Sequence, residues 1–233
     1  FQNKLLLSLP PEQLCKGDLH LCTILYEKEK WSFFLRADEL LQNLAIFGRS
    51  GAGKTNVAFH LLQQLVQKQI PFLFLDWKRT ARHLLPDLKG NVQVYTPGRK
   101  IAPFFFNPLI PPPELELNIH TNLLLDTLGA AYTLGDGSKH LIQQALTACY
   151  QSKHPAWPTI PDLLRTLEAT DVKGRAHGWK ISAVRALSTL AFADLSSPPK
   201  DHDQQDLVAQ LTRQHTVIEL NGLNENAKQF LIP

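Results

Sequence analysis

Residues 48–55 read GRSGAGKT, and this stretch decides the fold. It satisfies G-x-x-x-x-G-K-[ST] at every fixed position, the pattern of a glycine-rich loop that cradles phosphates. Ahead of it, NLAIF (43–47) is an apolar run short enough for one buried strand. Behind it, residues 56–68 place Val57, Leu61, Leu62 and Leu65 at helical spacing. Strand, loop and helix in that order are the context the motif requires. A glycine turn that matches by chance is the alternative, and both flanks speak against it.

The residue types explain the expected chemistry. Gly48, Gly51 and Gly53 let the backbone curl closely around a polyphosphate, because glycine tolerates dihedrals that a Cβ forbids. Loop amides then point inward at anionic oxygens, and the positive end of the following helix adds to the attraction. Lys54 is expected to reach the β- and γ-phosphates, and the Thr55 hydroxyl to ligate Mg²⁺. Arg49, Ser50 and Ala52 fill variable positions and contribute backbone. With Asn56 at the helix start, residues Gly48, Arg49, Ser50, Gly51, Ala52, Gly53, Lys54, Thr55 and Asn56 form the expected nucleotide-binding set.

Composition sets wide bounds. A chain of 233 residues, 44% hydrophobic and 19% charged, supports one large α/β domain or a core with an added subdomain. A net charge of +3 without a dense Lys/Arg block is compatible with a nucleic-acid partner but does not demand one. The three cysteines, Cys15, Cys22 and Cys149, have no metal-binding spacing, which suits a reduced cytoplasmic compartment. No run approaches the ~20 apolar residues of a membrane span, and no signal-peptide layout opens the chain, so no membrane insertion is expected. The sequence has no methionine and stops within the apolar run 229–233. We therefore expect a piece of a longer protein.

Residues 1–40 read as a β lead-in, with strands over 19–25 and 31–35 joined by the charged turn 27–30. Residues 41–117 form the first part of the core. The run 71–76 predicts a strand buried on both faces, with Asp76 emerging at its carboxyl end, where open α/β sheets bind ligands. Residues 91–95 suggest another strand, and the proline-rich 103–113 an ordered loop. Residues 118–190 read as a helical insertion, broken at 135–138 with Ser138 as a candidate N-cap. Residues 191–233 return to the core through a strand over 216–220.

This order of segments resembles the HerA/FtsK-type branch of P-loop ATPases, which includes conjugative secretion ATPases. GRSGAGKT is shared with P-loop proteins at large. More particular are Asp76-Trp77-Lys78 after the next strand, the FNPL of 106–109, the helical insertion, and the VIEL of 217–220 with Gly222 beyond it. The resemblance implies an α/β, RecA-like core with a mainly parallel sheet, a small N-terminal β element and a helical insertion. It also implies ATP and Mg²⁺ as cofactors, and a homo-hexameric ring that translocates double-stranded DNA, with a partner nuclease or effector. A type IV secretion or conjugation ATPase is the first alternative. A non-motor P-loop kinase or nucleotide-gated regulatory subunit is the second. Family members carry an Asp-Glu pair that activates water. Glu219 stands on a suitable strand but precedes Leu220 and, by the family comparison, lies one strand too early, so the acid is expected beyond Pro233; the alternative is a protein that binds nucleotide without hydrolysing it well.

Lys54 and Asp76 are the catalytic expectations. Asp76 is expected to contact Mg²⁺ or a coordinated water, and Lys78 to sense phosphate or reach a neighbouring subunit; the alternative is a solvated strand end with an incidental charge pair. Arg175 and Arg185 are candidates by resemblance for an arginine supplied across a subunit boundary; surface arginines on a helix are the plainer reading. Lys78, Arg79, Arg82, Lys89, Arg99 and Lys100 form a loose basic stretch suited to DNA phosphates or to simple solvation. His83, His120, His140, His154 and His177 show no metal spacing, and Trp157 between prolines reads as a loop anchor.

Overall fold

Alternating apolar residues near the start form an antiparallel hairpin in the computed structural model, with β1 (Leu19–Tyr26) paired to β2 (Glu29–Leu35). The structure describes residues 10–26, 29–88, 92–153, 156–192, 209 and 211–232. Of the expected turn, Glu27 and Lys28 lie outside these residues, and Glu29 and Lys30 belong to β2. The chain divides into two units. One comprises Phe1–Phe72, Ala81–Val92 and Arg213–His215; the other comprises Leu73–Thr80, Gln93–Thr212 and Thr216–Pro233.

In the first unit, α1 (Lys54–Gln67) packs on β1 and buries Leu61, Leu62, Leu65 and Val66. The helix stops where Gln69 turns left-handed (φ 57°), with the amides of Gln69 and Ile70 donating to Val66 O and Leu65 O. That double closure satisfies the orphan carbonyls, and Pro71 prevents continuation. Gln64 joins helix and hairpin. Its Oε1 accepts from the His20 amide (2.6 Å), and its Nε2 donates to His20 O (2.8 Å). The His20 and His60 rings meet beside it, Nδ1 to Nε2, at 3.0 Å.

The expected strand over 43–47 does not form. These residues are irregular and exposed, with Phe47 89% accessible. Apolar character makes a strand only where a neighbour supplies ladder hydrogen bonds, and among the described residues none pairs with this run.

The second unit holds a three-stranded parallel sheet in the order β3–β5–β4, formed by β3 (Phe72–Asp76), β4 (Val92–Tyr95) and β5 (His215–Glu219). Their first residues belong to the other unit. β5 is the central strand and is buried from Thr216 to Glu219. β3 departs from expectation: Leu73 and Leu75 remain 47% and 37% accessible, so only one face is covered.

Helices dominate the rest of this unit: α2 (Leu117–Tyr132), α3 (Asp136–Lys153), α4 (Ile160–Ala169), α5 (Arg175–Phe192) and α6 (Glu225–Leu231). Thr159 and Asp162 close a capping box at the start of α4, and Asn224 Oδ1 accepts the Ala227 amide (2.8 Å) to cap α6. Leu128, Ile142, Leu146, Leu163, Leu167 and Leu187 are fully buried in one apolar cluster that continues to Leu220 and Phe230. The FNPL loop is fastened to it. Asn107 Nδ2 donates to Pro158 O (2.8 Å), Asn107 Oδ1 accepts the Leu109 amide (3.1 Å), and the Tyr150 hydroxyl donates to Leu109 O (2.9 Å). Burial pushes the Tyr150 pKa up to about 12, so it stays a donor at neutral pH.

Ser138 is not an N-cap. α3 begins earlier, at Asp136, and the Ser138 hydroxyl donates to Trp179 O (3.0 Å) from inside the helix. Its neighbour Gly137 is a close-approach glycine, because a Cβ there would lie 2.2 Å from the Trp179 ring. Alanine in a helix interior normally gains roughly 0.5–1 kcal/mol over glycine, but overpacking costs roughly 1–3 kcal/mol. Gly137→Ala should therefore lower the denaturation midpoint; a midpoint at or above the parent's would show that the ring yields.

Candidate nucleotide site

The loop of residues 48–53 lies in the first unit and opens α1. Gly51 and Gly53 take φ of 79° and 87°, left-handed values that L side chains avoid, and a Cβ at either would meet nothing within 4 Å. Conformation, not crowding, demands glycine there. A turn closes the loop, with the Ala52 amide donating to Arg49 O (3.2 Å). Lys54 arches back over it, its Nζ donating to Gly48 O (2.7 Å) and Arg49 O (2.9 Å).

No side chain caps the start of α1, and its first turn carries no acid. The leading amides of any helix lack a carbonyl one turn back, so this end keeps its donors and its positive pole. Thr55 is exposed one residue into the helix. The donor set fits a polyphosphate: curled glycines, uncapped amides, an ammonium already over the loop, and a hydroxyl for its Mg²⁺. Arg49, Ser50, Ala52 and Asn56 are all exposed around it.

Asp76 lies in the second unit as the last residue of β3, and only 2% of it is accessible. A solvated strand end is thereby excluded. Its Oδ1 accepts from the Lys78 amide (3.2 Å) and the Thr80 hydroxyl (3.2 Å), which folds residues 76–80 into a turn. Lys78 points out of that turn and is exposed. Glu219, on the adjacent strand end, has no accessible surface. Arg79 meets it, Nε to Oε2 at 3.5 Å, from a left-handed backbone (φ 61°). At that distance the contact is an ion pair, and the buried Nε–H has no hydrogen-bond acceptor among the described residues. Nearby, Lys228 is buried, bonded to Glu225 Oε1 (2.8 Å) and stacked 5.0 Å above the Trp77 ring.

The remaining candidates are dispersed. Arg175 stacks 5.6 Å from the Trp179 ring centroid, and Arg185 is exposed on the same helix. Within the basic stretch, Lys78, Arg82, Arg99 and Lys100 are exposed and Arg79 is committed to Glu219; Lys89 lies outside the described residues. His120 contacts Pro108 O (2.9 Å), His154 lies outside the described residues, and no three-ligand metal cluster occurs among those described. Trp157 is half exposed and meets Tyr150 edge-on. Sequence reading missed the Arg79–Glu219 pair and the buried Lys228. The positive φ that delivers Arg79 has no local signature, and the buried acid in a VIEL strand was the available clue.

The family described as Helicase HerA, central domain, matches residues 19–233. The chain belongs to that family, and is thus a P-loop ATPase-class domain with a RecA-like α/β fold. Among solved structures it is similar to VirB4 of Thermoanaerobacter pseudethanolicus, with a TM-score of 0.57 at 17% identity over 92% of this chain and 60% of that one. The bacterial conjugative coupling protein TrwBdeltaN70 matches at a TM-score of 0.48 and 13% identity, over 74% of this chain and 44% of that one. The chain thus spans less than two thirds of either structure's length. No curated protein matches it. Among the described residues no helix is long and apolar enough to cross a membrane.

The left-handed backbone at Arg79 gives a sharp comparison. Arg79→Gly and Arg79→Ala both remove the guanidinium, but only alanine retains the cost of αL, about 1–2 kcal/mol. Glycine's extra unfolded-state freedom returns roughly 0.5–1 kcal/mol. Chemical denaturation should place the glycine variant about 0.5–1 kcal/mol above the alanine variant; the reverse order would contradict the assigned backbone.

Proposed function

We propose that this domain binds ATP with Mg²⁺ and hydrolyses it as the motor of a homo-hexameric ring that translocates double-stranded DNA in the cytoplasm. The observation that carries the ATP reading is the loop that opens α1, with Lys54 folded back onto the carbonyls of Gly48 and Arg49 and with Gly51 and Gly53 in left-handed dihedrals that suit a phosphate cradle. In that reading Gly48–Gly53 supply amides, Lys54 neutralises the charge developing on the transferred phosphoryl group, and Thr55 ligates Mg²⁺. Asn56 continues the first helical turn. Membership of the HerA family supports the ring and the DNA cargo. A partner nuclease or effector acting on the translocated strand is part of the same proposal.

The VirB4 likeness favours a second reading, a type IV secretion or conjugation ATPase with the same engine and another cargo. Hydrolysis stimulated by double-stranded DNA separates the two, since a motor for protein cargo has no need to respond to a duplex. A monomer that phosphorylates a metabolite, with a mass unchanged by ATP on size exclusion, would replace both by a P-loop kinase.

Lys54→Ala is the direct test. Lys54 opens α1 at the loop and is not part of the core, so thermal unfolding should stay near the parent value. Turnover should drop about 10²–10³-fold, the scale for losing one charge-stabilising donor. Hydrolysis at the parent rate would refute the site.

A further inference from the structure

We propose that the turn after β4 and the cleft behind it form a second anion site. It would take one nucleotide unit, its phosphate on Arg99 and Lys100 and its flat base against Phe105, the half-buried ring beside the core residue Phe104. The turn is heavily constrained. The Thr96 amide donates to Ala102 O (2.7 Å), the Arg99 amide to Thr96 O (3.1 Å), and the Thr96 hydroxyl to Ile101 O and Ala102 O. Gly98 and Ala102 are both left-handed, at φ 74° and 49°. Gly222, just past β5, seats the turn: a Cβ there would strike Pro97 O at 2.7 Å and press on the Arg99 side chain at 3.4 Å.

This rigid tip carries Arg99, Lys100 and Ile101 into solvent, with Ile101 84% accessible. No carboxylate pairs with either cation among the described residues. Folding gains little from holding two cations with no carboxylate partner among the described residues, and an isoleucine, on a left-handed alanine; local rules broken without structural return mark functional places. Behind the tip lies a cleft of about 360 Å³ lined by Gly98, Arg99, Lys100, Pro103, Phe104 and Phe105. A basic rim over an aromatic wall is the chemistry that grips a nucleic-acid strand, with phosphates on cations and bases on rings. The same chemistry takes a free nucleotide. The nucleic-acid source takes from the cargo reading above only that this domain handles DNA, and it specifies an unpaired strand, because duplex bases are already stacked; the site itself does not rest on that reading.

The test uses Arg99→Gln/Lys100→Gln and, separately, Phe105→Leu. Probes are a labelled oligo-dT of about 20 nucleotides, a duplex of about the same length, and a fluorescent ATP analogue offered in a Lys54→Ala background. Anisotropy is read between about 50 and 200 mM salt. The double glutamine variant should bind oligo-dT roughly tenfold more weakly and flatten the salt slope by about 1.4, the value for two lost single-strand phosphate contacts. Phe105→Leu should weaken oligo-dT about tenfold with the slope unchanged, since it removes a ring and no charge. Losses confined to the ATP analogue support the site with a free nucleotide as its source. Parent-like binding of every probe by both variants overturns the proposal, as does absence of probe binding by the Lys54→Ala parent. Failure of duplex DNA to stimulate hydrolysis, with oligo-dT binding still dependent on Arg99 and Lys100, would sink the cargo reading alone.

Discussion

A carboxylate with no accessible surface ends the central strand of the second unit, and the sheet's carboxyl edge is organised around keeping it tolerable. An ionised Glu219 removed from water is costly unless paired. Arg79 answers from the neighbouring strand's turn, and its backbone adopts φ 61° to do so. That conformation costs about 1–2 kcal/mol for a residue with a Cβ, far less than a bare buried charge. Asp76 folds the intervening turn through the Lys78 amide and the Thr80 hydroxyl. Two acids at adjacent strand ends are thus absorbed by one five-residue turn, at the edge of the sheet where open α/β folds bind ligands.

The loop that opens α1 is governed by a different balance. Its ammonium donates to two carbonyls of its own loop, and carbonyls satisfy hydrogen bonds without cancelling charge. Uncapped amides at the same helix start add to the positive potential. An anion with several oxygens relieves both at once. The glycines hold this arrangement by conformation, so the chemistry is written into backbone dihedrals more than into side chains.

Much of this was legible in the sequence because it is local. The hairpin, α1 and the helical character of residues 118–190 follow from apolar period, and the left-handed turn of the loop that opens α1 from its glycine spacing. The failures share a cause. Residues 43–47 are apolar enough for a strand, yet a strand is a property of its partner, and no window of sequence contains one. Leu73 and Leu75 were expected to be covered for the same reason. Ser138 is a good cap by type, but the Trp179 carbonyl, 41 residues away, claims its hydroxyl. The Arg79–Glu219 pair spans 140 positions and depends on a left-handed dihedral at an arginine, which composition does not announce.

The clamp between Gln64 and His20 has a consequence for how the N-terminal ribbon survives. Two-stranded ribbons are marginal in water, and an open border of unpaired amides invites pairing with foreign chains. By offering both an acceptor and a donor to one residue, the glutamine side chain impersonates a peptide group of an absent third strand. The helix that follows the glycine-rich loop thereby also guards a sheet border against self-association. Melting that helix would expose a template for aggregation as surely as it would dismantle the glycine-rich loop at its start.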